Sequence, residues 1–132
     1  MSRSVVRIVE DETLVAERLK ETLEALGCEV LGPAPNCSAA LEVLWSRKPD
    51  VAFVDTHLGE ETCEVVVEEC DHQGVPVVIT TGLRLADLPV LCQDRNYMAK
   101  PYRDAEVEAA LKLHKFGFGR LAPLQTNSIA RI

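Results

Sequence analysis

Apolar residues in this chain gather into short β-branched runs that stop abruptly at charged or hydroxyl side chains, and between those runs they recur at helical spacing. Ser4 to Val9 reads as a strand, closed at once by Glu10, Asp11 and Glu12. From Thr13 to Leu26 the apolar positions Val15, Leu19, Leu23 and Leu26 share one helical face, with Asp11 or Thr13 available as cap and Gly27 to close the end. Cys28 to Leu31 is again extended and stops at Gly32-Pro33-Ala34-Pro35, after which Ser38 can cap a helix through Leu41, Leu44 and Trp45. Val51 to Val54 is apolar on consecutive residues, the pattern of a strand covered on both faces, and it ends in Asp55.

Glu61 to Gln73 predicts a helix with Cys63, Val66, Val67 and Cys70 inward and Gly74 at its end. Val75 to Ile79 is a second buried strand, with Pro76 near its start, where a missing donor costs least. Asn96 to Ala99 is a weaker strand. Asp104 to Lys115 is a last helix, with acids in its first turn and Lys112, His114 and Lys115 in its last, as the helix dipole favours. Strand signals alternating with helical ones predict an α/β fold, a doubly wound five-stranded parallel sheet with right-handed crossovers. Sites in such folds lie outside the carboxyl ends of the strands, so the polar residues that end each strand are the ones to weigh.

At 132 residues and 47% hydrophobic content the chain suits one core. Its 21 acidic against 14 basic side chains, a formal charge of -7, would repel a nucleic-acid backbone, so no direct nucleic-acid partner is expected. Charges interrupt the apolar run at residues 1–12 and no stretch approaches a membrane span, so membrane insertion is not expected and the location is read as cytoplasmic. Five scattered cysteines without a CxxC pair fit reduced core residues better than disulfides, and nothing in the spacing favours a site from Cys63, Cys70 and His72.

The strand-end residues are Glu10 and Asp11, Asp55, Thr80 and Thr81, and Lys100. Singly, each is as well explained by a cap, a turn or a solvated charge. Together they form a workable chemistry. Three crowded carboxylates raise one another's pKa unless a cation joins them, and Mg2+ is the hard, oxygen-seeking choice. A carboxylate beside such a metal can attack phosphorus and become an aspartyl phosphate. Thr81 adds a hydroxyl and Lys100 a fixed positive charge for the phosphoryl oxygens.

The run Ile8-Val9-Glu10-Asp11-Glu12, the Val54-Asp55 strand end, Thr81-Gly82 and Lys100-Pro101 closely resemble the response-regulator receiver domains of two-component systems, over about residues 4 to 114. The resemblance implies the flavodoxin-like strand order 2-1-3-4-5, which is carried over from the receiver example of that fold rather than derived. It also implies that Asp55 is the phosphoacceptor, that Glu10, Asp11, Asp55 and the backbone carbonyl of His57 hold Mg2+, and that Thr81 and Lys100 bind the phosphoryl group. Tyr97 would be the aromatic that turns inward when Thr81 moves, and the Lys100-Pro101 bond would be cis.

Two features depart from the family pattern. Residues 82–95, with Pro89 in their middle, leave little room for a regular fourth helix, so a shortened or irregular one is expected. Leu83, Leu85, Leu88, Val90 and Leu91 would then form a mobile partner surface. The segment Ile79-Thr80-Thr81-Gly82-Leu83-Arg84 is similar to that of mostly stand-alone receivers with a Phe-Ala-Thr-Gly-hydrophobic-Tyr motif, departing from it at Ile79, Thr80 and Arg84. The second departure is the tail: residues 1–114 are expected to form the receiver and 115–132 a frayed terminus.

The expected function is therefore a phosphoacceptor that takes its phosphoryl group from a histidine kinase or a histidine phosphotransfer protein. It would signal through a downstream protein or a phosphorelay, and catalyse nothing beyond its own phosphorylation and dephosphorylation. An aspartate-based phosphohydrolase ranks lower, because such enzymes want an acid two residues after the nucleophile and His57 stands there. A docking module without phosphorylation is the remaining alternative, and the complete set Glu10, Asp11, Asp55, Thr81 and Lys100 argues against it.

Overall fold

The computed structural model describes residues 3–115, and the expectation of a frayed tail lies outside them. In chain order the elements are β1 (Val5–Val9), α1 (Thr13–Ala25), β2 (Glu29–Ala34), α2 (Cys37–Ser46), β3 (Val51–Asp55), β4 (His57–Leu58), β5 (Glu61–Thr62), α3 (Glu64–Gln73), β6 (Val77–Thr81), β7 (Asn96–Ala99) and α4 (Asp104–Lys115). β4 and β5 make a small antiparallel hairpin. The other five strands form one sheet in the order β2-β1-β3-β6-β7, with every neighbouring pair parallel. Counted within that sheet alone, the order is 2-1-3-4-5, as the resemblance implied.

Alternation along the strands divides the interior into two layers. Val6 and Ile8 of β1, Val51 and Phe53 of β3, Val78 and Met98 pack against Leu19 and Leu23 of α1 and Val107, Ala110 and Leu111 of α4. On the opposite face Val9, Ala52, Val54, Val77, Ile79 and Tyr97 meet Ala40 and Leu44 of α2 and Val66, Val67 and Cys70 of α3. Each fully buried aliphatic side chain contributes about 1.5–3 kcal/mol, which fixes the central strands and hence the position of the residues that follow them.

Several boundaries differ from the sequence reading. β2 does not stop at Leu31 but runs on to Ala34, through a cis Gly32–Pro33 bond and a register shift against β1. Proline is tolerated there because β2 is an edge strand, where its missing donor breaks no ladder. Gly32 is required, since its φ is 105° and a Cβ would lie 3.0 Å from the carbonyl oxygen of Ile8. The cap of α2 is Asn36 rather than Ser38, its Oδ1 accepting from the backbone N–H of Ala39 at 2.9 Å. Neither Asp11 nor Thr13 caps α1; Glu12 stands at that position with no side-chain cap bond. Glu61 and Thr62 belong to the hairpin, so α3 starts only at Glu64 and is closed by the left-handed Gly74.

The connection from β6 to β7 holds no regular fourth helix, only two 3-10 turns at Leu85–Asp87 and Val90–Cys92. Its expected apolar surface is only partly one: Leu85 and Val90 are exposed, whereas Leu88 is buried in the core. The connection is anchored at its end by Arg95, whose guanidinium pairs with both carboxylate oxygens of Asp71 on α3 and donates through Nε to the carbonyl of Leu91 at 2.7 Å. Cys63 and Cys70 are core residues while His72 is exposed, so no joint site forms from them. Among the described residues, no helix is long and apolar enough to cross a membrane.

Candidate functional site

Three parallel strands of the sheet, β1, β3 and β7, deliver charged residues to the same edge. β1 ends before Glu10, β3 ends in Asp55, and β7 is followed directly by Lys100. Register secures the meeting, because Val9 pairs with Val54, Asp55 with Thr80, and Thr81 with Ala99. The backbone N–H of Lys100 donates to the carbonyl of Thr81 at 2.7 Å, which carries the lysine one step beyond the ladder. The Lys100–Pro101 bond is cis, as expected.

The lysine ammonium stands at the centre of the site, 2.9 Å from Asp55 Oδ2, 2.9 Å from Glu10 Oε1 and 3.5 Å from Glu12 Oε1. Glu10 and Asp55 are buried while Asp11 and Glu12 face solvent. Glu10 Oε2 accepts the backbone N–H of Glu12 at 3.1 Å, and Asp11 Oδ2 accepts that of Gly59 in the hairpin turn at 2.7 Å. The hairpin thereby steadies the exposed acid, and Asp55 Oδ1 accepts from the backbone N–H of His57 at 3.3 Å.

The electrostatics are unbalanced in a telling direction. Burial, with a shared hydrogen bond to Asp55, pushes the Glu10 carboxyl up to about 7, even though Lys100 pulls it down. Burial alone would lower the Lys100 ammonium, but Asp55 and Glu10 outweigh it and hold the group above its ordinary value. One lysine thus serves carboxylates that want more positive charge than it brings.

One carboxylate oxygen each from Glu10, Asp11 and Asp55 lies within 4.8 Å of the others, close enough to share an ion. Glu10 Oε1 is buried and accepts no hydrogen bond of ordinary geometry, despite the ammonium nearby. An all-oxygen set whose buried members share one ammonium fits a hard divalent cation such as Mg2+. A cleft of about 320 Å³ opens over these acids, lined by Asp11, Asp55, Thr56, His57, Leu83 and Lys100 among others.

Two expected residues stand in the core beside the cleft rather than on its lining. Thr81 is buried and does not line that cleft; its hydroxyl accepts from the backbone N–H of Leu83 at 2.9 Å and from Thr56 Oγ1 at 3.0 Å. Tyr97 is packed inward, in the same core layer as Ile79 and Cys92. Sequence reasoning missed Thr56 and Glu12. The acid run Glu10-Asp11-Glu12 contained the signal for Glu12, but a threonine after a strand-end acid carries none of its own.

Comparison with known proteins agrees with this geometry. SdrG from Sphingomonas melonis Fr1 superposes with a TM-score of 0.77 at 30% identity, over 87% of this chain and 99% of that one. The receiver domain of the response regulator PhyR from Erythrobacter litoralis does so with a TM-score of 0.76 at 26% identity, over 93% of this chain and 96% of that one. The transcriptional regulatory protein PdtaR of Mycobacterium tuberculosis (strain ATCC 25618 / H37Rv) is 27% identical over 124 residues, 91% of this chain but only 60% of that protein. Residues 6–112 match the response regulator receiver domain, and they include every strand-end acid, the threonine pair and the lysine; the chain belongs to that family.

Proposed function

We propose that the chain accepts one phosphoryl group on Asp55, from a phosphohistidine of a histidine kinase or histidine phosphotransfer protein, with Mg2+ held by Glu10, Asp11, Asp55 and the backbone carbonyl of His57. The observation that carries this reading is the buried Asp55 carboxylate paired at 2.9 Å with Lys100, one ammonium among several clustered acids. When bound, Mg2+ would supply Lewis-acid polarisation of the phosphoryl oxygens and cancel the repulsion among the carboxylates.

An Asp55 carboxylate oxygen attacks phosphorus, the P–N bond of the donor breaks, and its electron pair returns to the imidazole. Lys100 keeps its proton throughout and moves its charge from Glu10 toward the new phosphoryl oxygens. Asp55 attacks as its carboxylate, with the Lys100 ammonium 2.9 Å from Oδ2. His57, exposed at the mouth of the cleft, stands beside the route by which water would reach the product.

A second groove, about 500 Å³ and lined by Leu14, Val15, Arg18, Lys100, Pro101 and Tyr102 with Glu12, opens on the lysine side of the site. Leu14 is 85% exposed there, which supports a protein donor docking across α1. Output would pass through the β6–β7 connection, where Leu85 and Val90 are exposed, to a downstream protein or a further phosphotransfer step.

Incubation with acetyl phosphate and Mg2+ should add a single phosphoryl group by intact mass. Asp55→Asn and a chelator should each prevent it. Labelling that persists in either control would overturn the reading.

A further inference from the structure

The side chain following Asp55 is the one that holds Thr81. Thr56 is 1% exposed, and its Oγ1 donates to Thr81 Oγ1 at 3.0 Å between two buried hydroxyls. The Thr81 oxygen also accepts from the backbone N–H of Leu83 at 2.9 Å. Both of its lone pairs are therefore in use, and only its hydrogen is left for a new partner. Thr56, Gly82 and Leu83 line the cleft over Asp55, whereas Thr81 does not. For its hydroxyl to reach a phosphoryl oxygen on Asp55, the Thr81 side chain must move toward the cleft, and the bond from Thr56 opposes that movement.

We propose that Thr56 is a positioning residue, a latch that holds the Thr81 hydroxyl away from the cleft and sets how readily the phosphorylated conformation is reached. The inference rests on the phosphoacceptor reading above. Thr56 sits on the strand end that carries Asp55, with its own N–H bonded to the Thr80 carbonyl at 3.1 Å, so the latch and the nucleophile share one rigid backbone. The hairpin fastens to the same residue, because the Cys63 N–H donates to the Thr56 carbonyl at 3.2 Å. The Thr56–Thr81 bond is thus the side-chain link between the strand end that carries Asp55 and the Thr81 hydroxyl.

Thr56→Val keeps the branched shape and removes the hydroxyl. Thr81 keeps the Leu83 N–H, so no buried acceptor is orphaned and the variant should fold; Thr56→Ala serves if the valine does not. Loss of one net hydrogen bond that exists only in the resting state should tighten binding of beryllofluoride with Mg2+, a mimic of the phosphoryl group, by about fivefold. Thr56→Ser restores the hydroxyl and should bind as the unaltered chain does. Equal or weaker binding in Thr56→Val, or a serine variant that behaves like valine, would overturn the latch.

The reading it rests on is tested apart from it. In the absence of any phosphoryl mimic, the side-chain coupling constants of Thr81 report whether it occupies one rotamer. The latch predicts a single rotamer in the unaltered chain and in Thr56→Ser, and averaging in Thr56→Val. If no form binds beryllofluoride, the phosphoacceptor reading fails and these couplings alone decide the latch: an unchanged single rotamer in Thr56→Val refutes it.

Discussion

Two cations in this fold, one buried and one half-buried, meet carboxylates in opposite ways. Arg95 is 1% exposed and is fully satisfied: two nitrogens grip both oxygens of one aspartate, and the third donates to a backbone carbonyl. Lys100 faces Asp55, Glu10 and Glu12 at once and cannot satisfy them all. A planar guanidinium in a two-pronged pair is fixed by geometry, whereas a compact ammonium on a flexible stem can change partners. The first arrangement ties the irregular β6–β7 connection to α3. The second leaves, at the strand ends, a carboxylate cluster with less positive charge than its acids call for. Buried charge alone therefore does not mark the site; unequal pairing does.

The comparison breaks most visibly if the structural pair is cut. Asp71→Asn leaves a buried guanidinium without its counter-charge and should cost about 3 kcal/mol in urea unfolding. Phosphorylation by acetyl phosphate, measured under folding conditions, should stay near its original rate. A variant of unchanged stability would show that Arg95 is held by its backbone bond and packing alone.

Cutting the other pair should reverse the pattern. Lys100→Met removes the charge proposed to meet the phosphoryl oxygens and should slow phosphorylation about a hundredfold, the scale seen for one stabilising donor in a water-poor site. Stability should fall by less than in Asp71→Asn, since Glu10 can neutralise itself by taking a proton near pH 7. A rate within a few fold of the original would remove Lys100 from the reaction.

The difference sharpens with pH. Glu10 has its folded pKa raised to about 7 from an ordinary value of 4.5, so between those values the folded chain holds more protons than the unfolded one. The contribution of this group to stability is thus full below pH 4.5 and is lost as pH rises through about 7 in the metal-free chain. Mg2+ competes with that proton, so its affinity should fall by up to about tenfold per pH unit below pH 7, and Glu10→Gln should flatten the slope. An equally steep slope in Glu10→Gln would assign the proton elsewhere.

The sheet was legible in the sequence because consecutive apolar residues such as Val51 to Val54 admit few other readings, and strand ends then announced Asp55 and Lys100. What escaped were features set by tertiary contact. The hairpin takes Glu61 and Thr62 from the helix that periodicity predicts, since the turn at Gly59 bonds to Asp11 far along the chain. Asn36 captures the start of α2 although Ser38 is an equally good capping residue. Leu88 fits an exposed apolar stripe by composition, yet it is buried where the connection folds back on α3. The identity of the site could be read from residue order, but the partner of Thr81 could not, because Thr56 and Thr81 meet only when β3 and β6 lie side by side.

The central claim is that the phosphoryl group is carried by the Asp55 carboxylate. Borohydride reduces an acyl phosphate, but not an intact carboxylate or a phosphoester, to the alcohol. Treating the protein with acetyl phosphate and Mg2+, reducing it and mapping peptides by mass should convert residue 55 alone to homoserine. Conversion at Glu10 or Asp11, or a phosphoryl group that survives reduction on a hydroxyl or imidazole side chain, would contradict the account.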